Sequence, residues 1–303
     1  MEVPNTIIPI TEIPVNKNIQ LFIKREDLIH PEISGNKYWK LFYNIRRYLT
    51  QNIENPTLIT FGGAYSNHIA ATAALASDLS IPAIGIIRGE ELVTRWQNNP
   101  TLQLAHQKGM DFRFVTREQY RDKESLAQQL KKEFPQALII PEGGSNTLAV
   151  NGIQHMLNEE TKIFDYLCSA VGTGGTLAGL SKYCENHQQI LGFKAVDDPS
   201  LAQSIKEFSG KDNFSLWEAH LGRYGIINDE LIRFINDFYS EYHIPLDPIY
   251  TGKMMKKLME LIDDDYFPEN AKILAFHTGG LQGIAGANAM LAHQNKITIK
   301  CDL

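Results

Sequence analysis

A two-domain α/β fold built on open parallel sheets follows from three observations on this chain of 303 residues. Short apolar runs alternate with longer amphipathic stretches, the pattern of strands joined by crossover helices. Several runs lead into glycine within a residue or two, at Gly62-Gly63, Gly143-Gly144, Gly172 and Gly279-Gly280. Ligands of open parallel sheets bind outside the carboxyl ends of the strands, where such turns lie. The length is that of about two domains, yet no linker, clear repeat or low-complexity segment separates two halves. The domains are therefore expected to be joined by more than one crossing, with a smaller one at 49–146 inserted between 1–48 and 147–303 of the larger.

The predicted strands, in order, are Leu21–Lys24, Thr57–Phe61, Ala83–Arg88, Phe112–Thr116, Leu138–Pro141, Tyr166–Val171, Gly192–Val196, Leu216–His220 and Ile273–His277. Three helices are legible between them. Asn67 to Leu79 is rich in alanine and stops before Ser80-Ile81-Pro82. Ser125 to Phe134 carries Leu126, Leu130 and Phe134 at i, i+4 and i+8, and Pro135 ends it. Asp229 to Tyr242 places Leu231, Ile232, Ile235, Phe238 and Tyr239 on one apolar face. Trp39, Trp96 and Trp217 read as packing or pocket wall.

Composition narrows the function classes. Hydrophobic residues make up 43% and charged residues 21%, too apolar a balance for disorder. The net charge of -6 argues against a nucleic-acid groove, which needs a basic excess. No run approaches the roughly 18 apolar residues of a membrane span. Cys168, Cys184 and Cys301 form no C-x-x-C pair, and an odd count suits a reducing compartment. No metal site is expected. Met1-Glu2-Val3-Pro4 does not open a secretory leader, so the expected location is the cytoplasm.

Three segments carry chemistry. In Ser34-Gly35-Asn36-Lys37-Tyr38-Trp39-Lys40, a lysine after small residues is either a solvated surface group or an amine free to reach an aldehyde as a Schiff-base nucleophile. In Phe61-Gly62-Gly63-Ala64-Tyr65-Ser66-Asn67-His68, on a strand-to-helix turn, Ser66 or Asn67 either caps the helix or meets a ligand at the sheet edge. In Ser169-Ala170-Val171-Gly172-Thr173-Gly174-Gly175-Thr176-Leu177-Ala178-Gly179, backbone N–H groups, a positive helix end and threonine hydroxyls favour a phosphate. Two phosphate ligands compete. A dinucleotide would use Gly172, Gly174 and the acid Asp197, although Leu177 fills the third small position. A phosphate monoester fits as well and leaves room for chemistry at Lys37.

Together these segments resemble the fold type II family of pyridoxal-phosphate enzymes, of tryptophan synthase β-like architecture. More narrowly they resemble the 1-aminocyclopropane-1-carboxylate deaminase and D-cysteine desulfhydrase group. The resemblance runs from Lys24-Arg25-Glu26-Asp27 to His277-Thr278-Gly279-Gly280. It implies pyridoxal 5'-phosphate as cofactor, attached to Lys37. Lys40 and Gly172, Thr173, Gly174, Gly175 and Thr176 would hold its phosphate. Asn67 would contact the ring face or phenolic oxygen, and Ser66 would handle protons beside the reacting Cα. His68 fits the group's pattern around the substrate. Tyr224 and Tyr250 match positions that transfer protons or steady the substrate carboxylate. Tyr38-Trp39 and Ala64-Tyr65 depart from the usual residues of the group. Members are usually homodimers acting on small amino acids.

Thr251 and Thr278 choose the reaction. By the resemblance, ring-opening deaminases carry an acid and a leucine at these positions, and D-cysteine desulfhydrases carry hydroxyl residues at both. A carboxylate near the pyridine nitrogen keeps it protonated and deepens the electron sink. A threonine hydroxyl leaves a weaker sink, which suffices when a thiolate leaves from Cβ. β-Elimination from D-cysteine, giving pyruvate, ammonia and sulfide, is thus the leading expectation. Deamination of aminocyclopropane carboxylate to 2-oxobutanoate is the alternative. A nicotinamide oxidoreductase and a non-catalytic cofactor-binding protein are the readings from other classes.

Overall fold

The computed structural model describes Pro4, residues 7–222 and residues 225–302. Among the described residues, ten strands form two sheets. The larger contains β1 (Ile10–Ile13), β2 (Gln20–Lys24), β7 (Tyr166–Val171), β8 (Gln189–Lys194), β9 (Phe214–Glu218) and β10 (Lys272–Phe276). Its order is β1-β2-β10-β7-β8-β9. The smaller contains β3 (Leu58–Gly62), β4 (Ala83–Arg88), β5 (Met110–Val115) and β6 (Leu138–Ile140), in the order β5-β4-β3-β6. Every pairing is parallel except β1 with β2. That antiparallel edge strand was not expected from sequence. Ile-Thr-Glu-Ile is only four residues long, with Pro9 before it and Pro14 after it, and short edge strands carry little apolar signal.

The helices are α1 (Asn36–Leu49), α2 (Asn67–Asp78), α3 (Pro100–Gln107), α4 (Arg117–Arg121), α5 (Lys123–Glu133), α6 (Thr147–Gly152), α7 (Gly175–Tyr183), α8 (Leu201–Ser209), α9 (Asp229–Tyr242), α10 (Thr251–Asp263) and α11 (Gly283–His293). The period-2 alternation of the strands assigns their faces. Leu167 and Val171 of β7 join the core beneath α1, α6, α7 and α8, whereas Tyr166, Cys168 and Ala170 face α9, α10 and α11. Leu58 of β3 belongs to the first of these cores, while Ile59 and Phe61 pack with Tyr120 and Leu130 of α4 and α5. Both sheets are therefore covered on two faces, as parallel sheets require. No helix among the described residues is long and apolar enough to cross a membrane.

The close fit of α1 to the rest of the fold places the site. A Cβ at Gly152 would lie 1.9 Å from the Trp39 carbonyl oxygen, so α6 approaches α1 backbone to backbone. Gly35, at φ +63°, precedes α1, and a Cβ there would fall 2.0 Å from the Thr278 carbonyl oxygen. Only glycine combines that conformation with that approach. The start of α1 is thereby held against the turn after β10.

Candidate active site

Lys37 is the second residue of α1 and is partly buried. Its amine donates to Asn36 Oδ1 at 2.9 Å. Burial lowers its pKa to about 8, against the opposing pull of the Asp247 carboxylate. Lys40, one turn on, is 2% exposed. Its Nζ reaches the hydroxyls of Ser145 at 2.8 Å and Thr173 at 3.5 Å, and these two hydroxyls meet each other at 2.6 Å. Burial and the neighbouring Lys37 charge push the Lys40 pKa well down. A buried amine with only hydroxyl partners favours an anion beside it.

The glycine segment after β7 supplies the matching space. A Cβ at Gly175 would lie 2.7 Å from Ser145 Oγ and 3.2 Å from Lys40 Nζ. One at Gly172 would lie 2.9 Å from the Tyr250 ring. Gly174, in the left-handed region, precedes α7 and turns the chain into it. Thr176 accepts from Asn36 Nδ2 at 2.7 Å, which ties α7 to α1. This is a cradle of amides, hydroxyls and one buried amine, sized by missing side chains.

The α2 segment adds a second wall. Ser66 caps α2, accepting from Ile69 N at 3.3 Å, so the capping role is real. Asn67 Oδ1 accepts from Gln282 Nε2 at 3.0 Å, and a Cβ at Gly280 would fall 2.4 Å from Asn67 Nδ2. His68 is 1% exposed and borders Gly144 rather than open space. Thr60 Oγ1 donates to Ile140 O at 3.0 Å and so accepts from His68 Nε2 at 2.8 Å. The His68 ring is therefore the Nε2–H tautomer, with Nδ1 bare and unpartnered among the described residues. Burial and the charges of Lys37 and Lys40 hold its pKa well below the usual imidazole value.

Thr251 and Thr278 are placed differently. Thr278 is 8% exposed and abuts Gly35. Thr251 has no exposed surface, and its hydroxyl donates to Asp247 Oδ2 at 2.8 Å while accepting from Asp247 N at 2.9 Å. Tyr224 lies outside the described residues. Sequence reasoning missed Asn36, Ser145 and Asp247 as parts of this assembly. Ser145 follows a strand-end Gly143-Gly144, and Asp247-Pro248 is a turn-initiating pair; these were the available signals. The departures Tyr38-Trp39 turn away from the site. Both side chains are buried, and Trp39 Nε1 donates to Glu26 Oε2 at 2.9 Å. The dinucleotide alternative loses its third small position to packing: a Cβ at Gly192 would lie 2.4 Å from Leu177.

The arrangement thus suits a phosphate monoester beside a reactive amine, and comparisons with known proteins name the group. The family model for pyridoxal-phosphate dependent enzymes matches residues 2–279. The chain is 30% identical over 298 residues to the bifunctional D-cysteine desulfhydrase/1-aminocyclopropane-1-carboxylate deaminase, mitochondrial, of Arabidopsis thaliana, covering 88% of this chain and 73% of that protein. The crystal structure of an ACC deaminase homologue superposes with a TM-score of 0.80 at 28% identity, over 96% of this chain and 95% of that one. An O-acetylserine dependent cystathionine beta-synthase from Helicobacter pylori shares the fold at a TM-score of 0.68 and 13% identity, over 91% and 93% of the two chains. Between the two phosphate ligands that the glycine turn allows, the match along nearly the whole chain decides: it belongs to the pyridoxal-phosphate dependent enzymes of fold type II, in the group of ACC deaminase and D-cysteine desulfhydrase.

Proposed function

We propose that this enzyme eliminates and deaminates a small amino acid, with D-cysteine as substrate and pyruvate, ammonia and sulfide as products. The observation that carries the reading is buried Lys40 against a side-chain-free cradle, with the partly buried amine of Lys37 one turn before it. In this reading Lys40, Ser145, Thr173, Thr176 and the amides from Gly172 to Gly175 bind the cofactor phosphate. When bound, pyridoxal phosphate supplies the electron sink for a carbanion at the substrate Cα.

The residues of the chain do the rest. Lys37 Nζ would hold the cofactor, and the same amine would take the proton from the substrate Cα. A pKa near 8 makes part of the amine neutral at physiological pH, as a base requires. Asn67, its Oδ1 held by Gln282, would contact the cofactor ring through its amide. Ser66 Oγ keeps its proton available while accepting from Ile69 N. It and Tyr250, whose ring lies against Gly172, are the hydroxyls that hold or pass protons near Cα, and Tyr224 joins them by the resemblance. Thr278, whose backbone abuts Gly35, would be a hydroxyl partner for the cofactor ring. Thr251, tied to Asp247, fixes the start of α10 beside it. His68, bordering Gly144, backs the substrate wall. A homodimer in the cytoplasm completes the reading; light scattering of the purified protein tests the dimer.

A second reading, deamination of 1-aminocyclopropane-1-carboxylate to 2-oxobutanoate, is favoured by one observation. A carboxylate, Asp247, lies directly behind Thr251, where a lone hydroxyl was expected. The name of the Arabidopsis relative combines both activities. A panel of D-cysteine, L-cysteine, D-serine and aminocyclopropane carboxylate, read out as sulfide, pyruvate and 2-oxobutanoate, tests the choice. Sulfide and pyruvate from D-cysteine support the first reading. Efficient 2-oxobutanoate release with little sulfide overturns it.

A further inference from the structure

The start of α1 has no side-chain cap: its cap residue is Gly35, and its first turn holds no acid. The N–H groups of a helix start need acceptors, and main-chain carbonyls at two strand ends supply them here. Gly35 N donates to Glu26 O at 2.9 Å, just beyond β2, and Asn36 N to Thr278 O at 3.4 Å, just beyond β10. These two strands are neighbours in the larger sheet.

Glu26 holds the same turn a second time. It has no exposed surface, and its Oε2 accepts from Trp39 Nε1 at 2.9 Å. Its Oε1 faces Lys24 Nζ at 3.3 Å in a buried ion pair, but without hydrogen-bond geometry. Lys24 Nζ donates instead to Met156 O. A buried pair so imperfectly bonded is a poor source of stability. What the carboxylate does provide is a fixed acceptor for the indole. One residue thus grips the chain at Gly35 and at Trp39, on either side of Lys37 in sequence. Trp39 projects about 200° around the helix from Lys37, and its ring stacks on His155 at 5.1 Å. The grip therefore acts on the back of the turn whose front carries the Lys37 amine.

We propose that Glu26 is a positioning residue for Lys37: its carbonyl and its carboxylate fix the first turn of α1 from behind and so aim the amine. The proposal rests on the reading of Lys37 as the cofactor lysine. Lys40 is held separately, its carbonyl by Asn44 Nδ2 at 2.9 Å and its amine by Ser145 Oγ at 2.8 Å. Loss of the Glu26 grip should misaim Lys37 and spare the phosphate cradle.

The test separates phosphate binding from covalent attachment, in holoenzyme stripped of cofactor and reloaded. Affinity for pyridoxine 5'-phosphate, which has the phosphate but no aldehyde, reads the cradle. The rate of borohydride-reducible attachment at saturating pyridoxal phosphate reads the aim of Lys37. Two double variants share a neutral background, because removing both members of a buried pair is milder than removing one. Lys24→Met with Glu26→Gln keeps an acceptor for Trp39, and Lys24→Met with Glu26→Leu does not. The leucine variant is expected to attach cofactor at least about tenfold more slowly than the glutamine variant, with affinities for pyridoxine phosphate within about twofold, as a small misplacement of a reacting group predicts. Equal attachment rates overturn the proposal. So does a loss of affinity as large as the loss of rate, which would assign the effect to packing of α1 as a whole. Trp39→Phe, which keeps a ring and deletes the donor, carries the test if the leucine variant fails to fold. Its control is Phe42→Leu, a packing loss on the same helix away from the grip, and equal slowing in that control overturns the proposal. Failure of the parent reading looks different: in wild type the pyridoxyl label would sit on another lysine, whatever the variants do.

Discussion

Lys37 and Lys40 are one helical turn apart, and the Lys37 charge makes Lys40 less willing to hold a proton. Burial works in the same direction at both. Such a pair is stable only with anionic company, and the cradle between α7 and Ser145 is where that company fits. Lys37→Ala is expected to abolish covalent cofactor attachment and to lower kcat by about 10³-fold, within the range of a lost general base; absorbance and steady-state assays measure both. Gly175→Ala should leave the fold intact, because the position begins a helix. It should weaken cofactor binding by at least about tenfold, or 1.4 kcal/mol, since the added methyl falls 2.7 Å from Ser145 Oγ, which must move, and 3.2 Å from Lys40 Nζ. Fluorescence titration with pyridoxal phosphate reads the loss. Lys37, Lys40 and the glycines from Gly172 were legible in sequence because their spacing is local. Asp247 and Ser145 were not, since their importance comes from neighbours more than 100 residues away or from the geometry of a turn.

At the scale of elements, the helix starts carry the site. α1, α2, α7 and α10 all begin at it: Gly35 and Gly174 precede α1 and α7, Ser66 caps α2, and Asp247 accepts the N–H of Thr251 at the start of α10. Ser66 shows that a capping role and a proposed chemical role can share one hydroxyl. Ser66→Ala should cost about 1 kcal/mol of stability by loss of the cap and, in addition, lower kcat. Ser66→Asn, which restores a capping acceptor, should recover stability in denaturant unfolding without recovering kcat. The strands of both sheets were legible because buried parallel strands read as continuous apolar runs. β1 was not, since a four-residue edge strand has no such run. The segment that opens α1 was legible only as carrying a solvated or a reactive lysine, not as a buried helix. Its burial, with Trp39 bonded to Glu26 and Gly152 against its backbone, comes from α6, an element far along the chain.

For the whole molecule, a lysine held uncharged is a cost to folding that pH can relieve. In the unfolded chain Lys37 keeps its proton up to about 10.4; folded, it keeps it only to about 8. Between these values the unfolded state binds the additional proton, so this contribution to stability rises with pH across that window. The melting temperature of wild type relative to Lys37→Met should therefore climb from pH 8 to pH 10 in the cofactor-free protein. Inorganic phosphate should raise the melting temperature by roughly 2–4 °C per kcal/mol of binding, and Lys40→Met should remove the effect. The central claim is that Lys37 is the amine that holds pyridoxal phosphate, and borohydride reduction of the holoenzyme followed by peptide mapping tests it most directly. The account predicts a single pyridoxyl group on the peptide containing Lys37. A label on Lys40, Lys253 or any other lysine, with Lys37 unmodified, would contradict it.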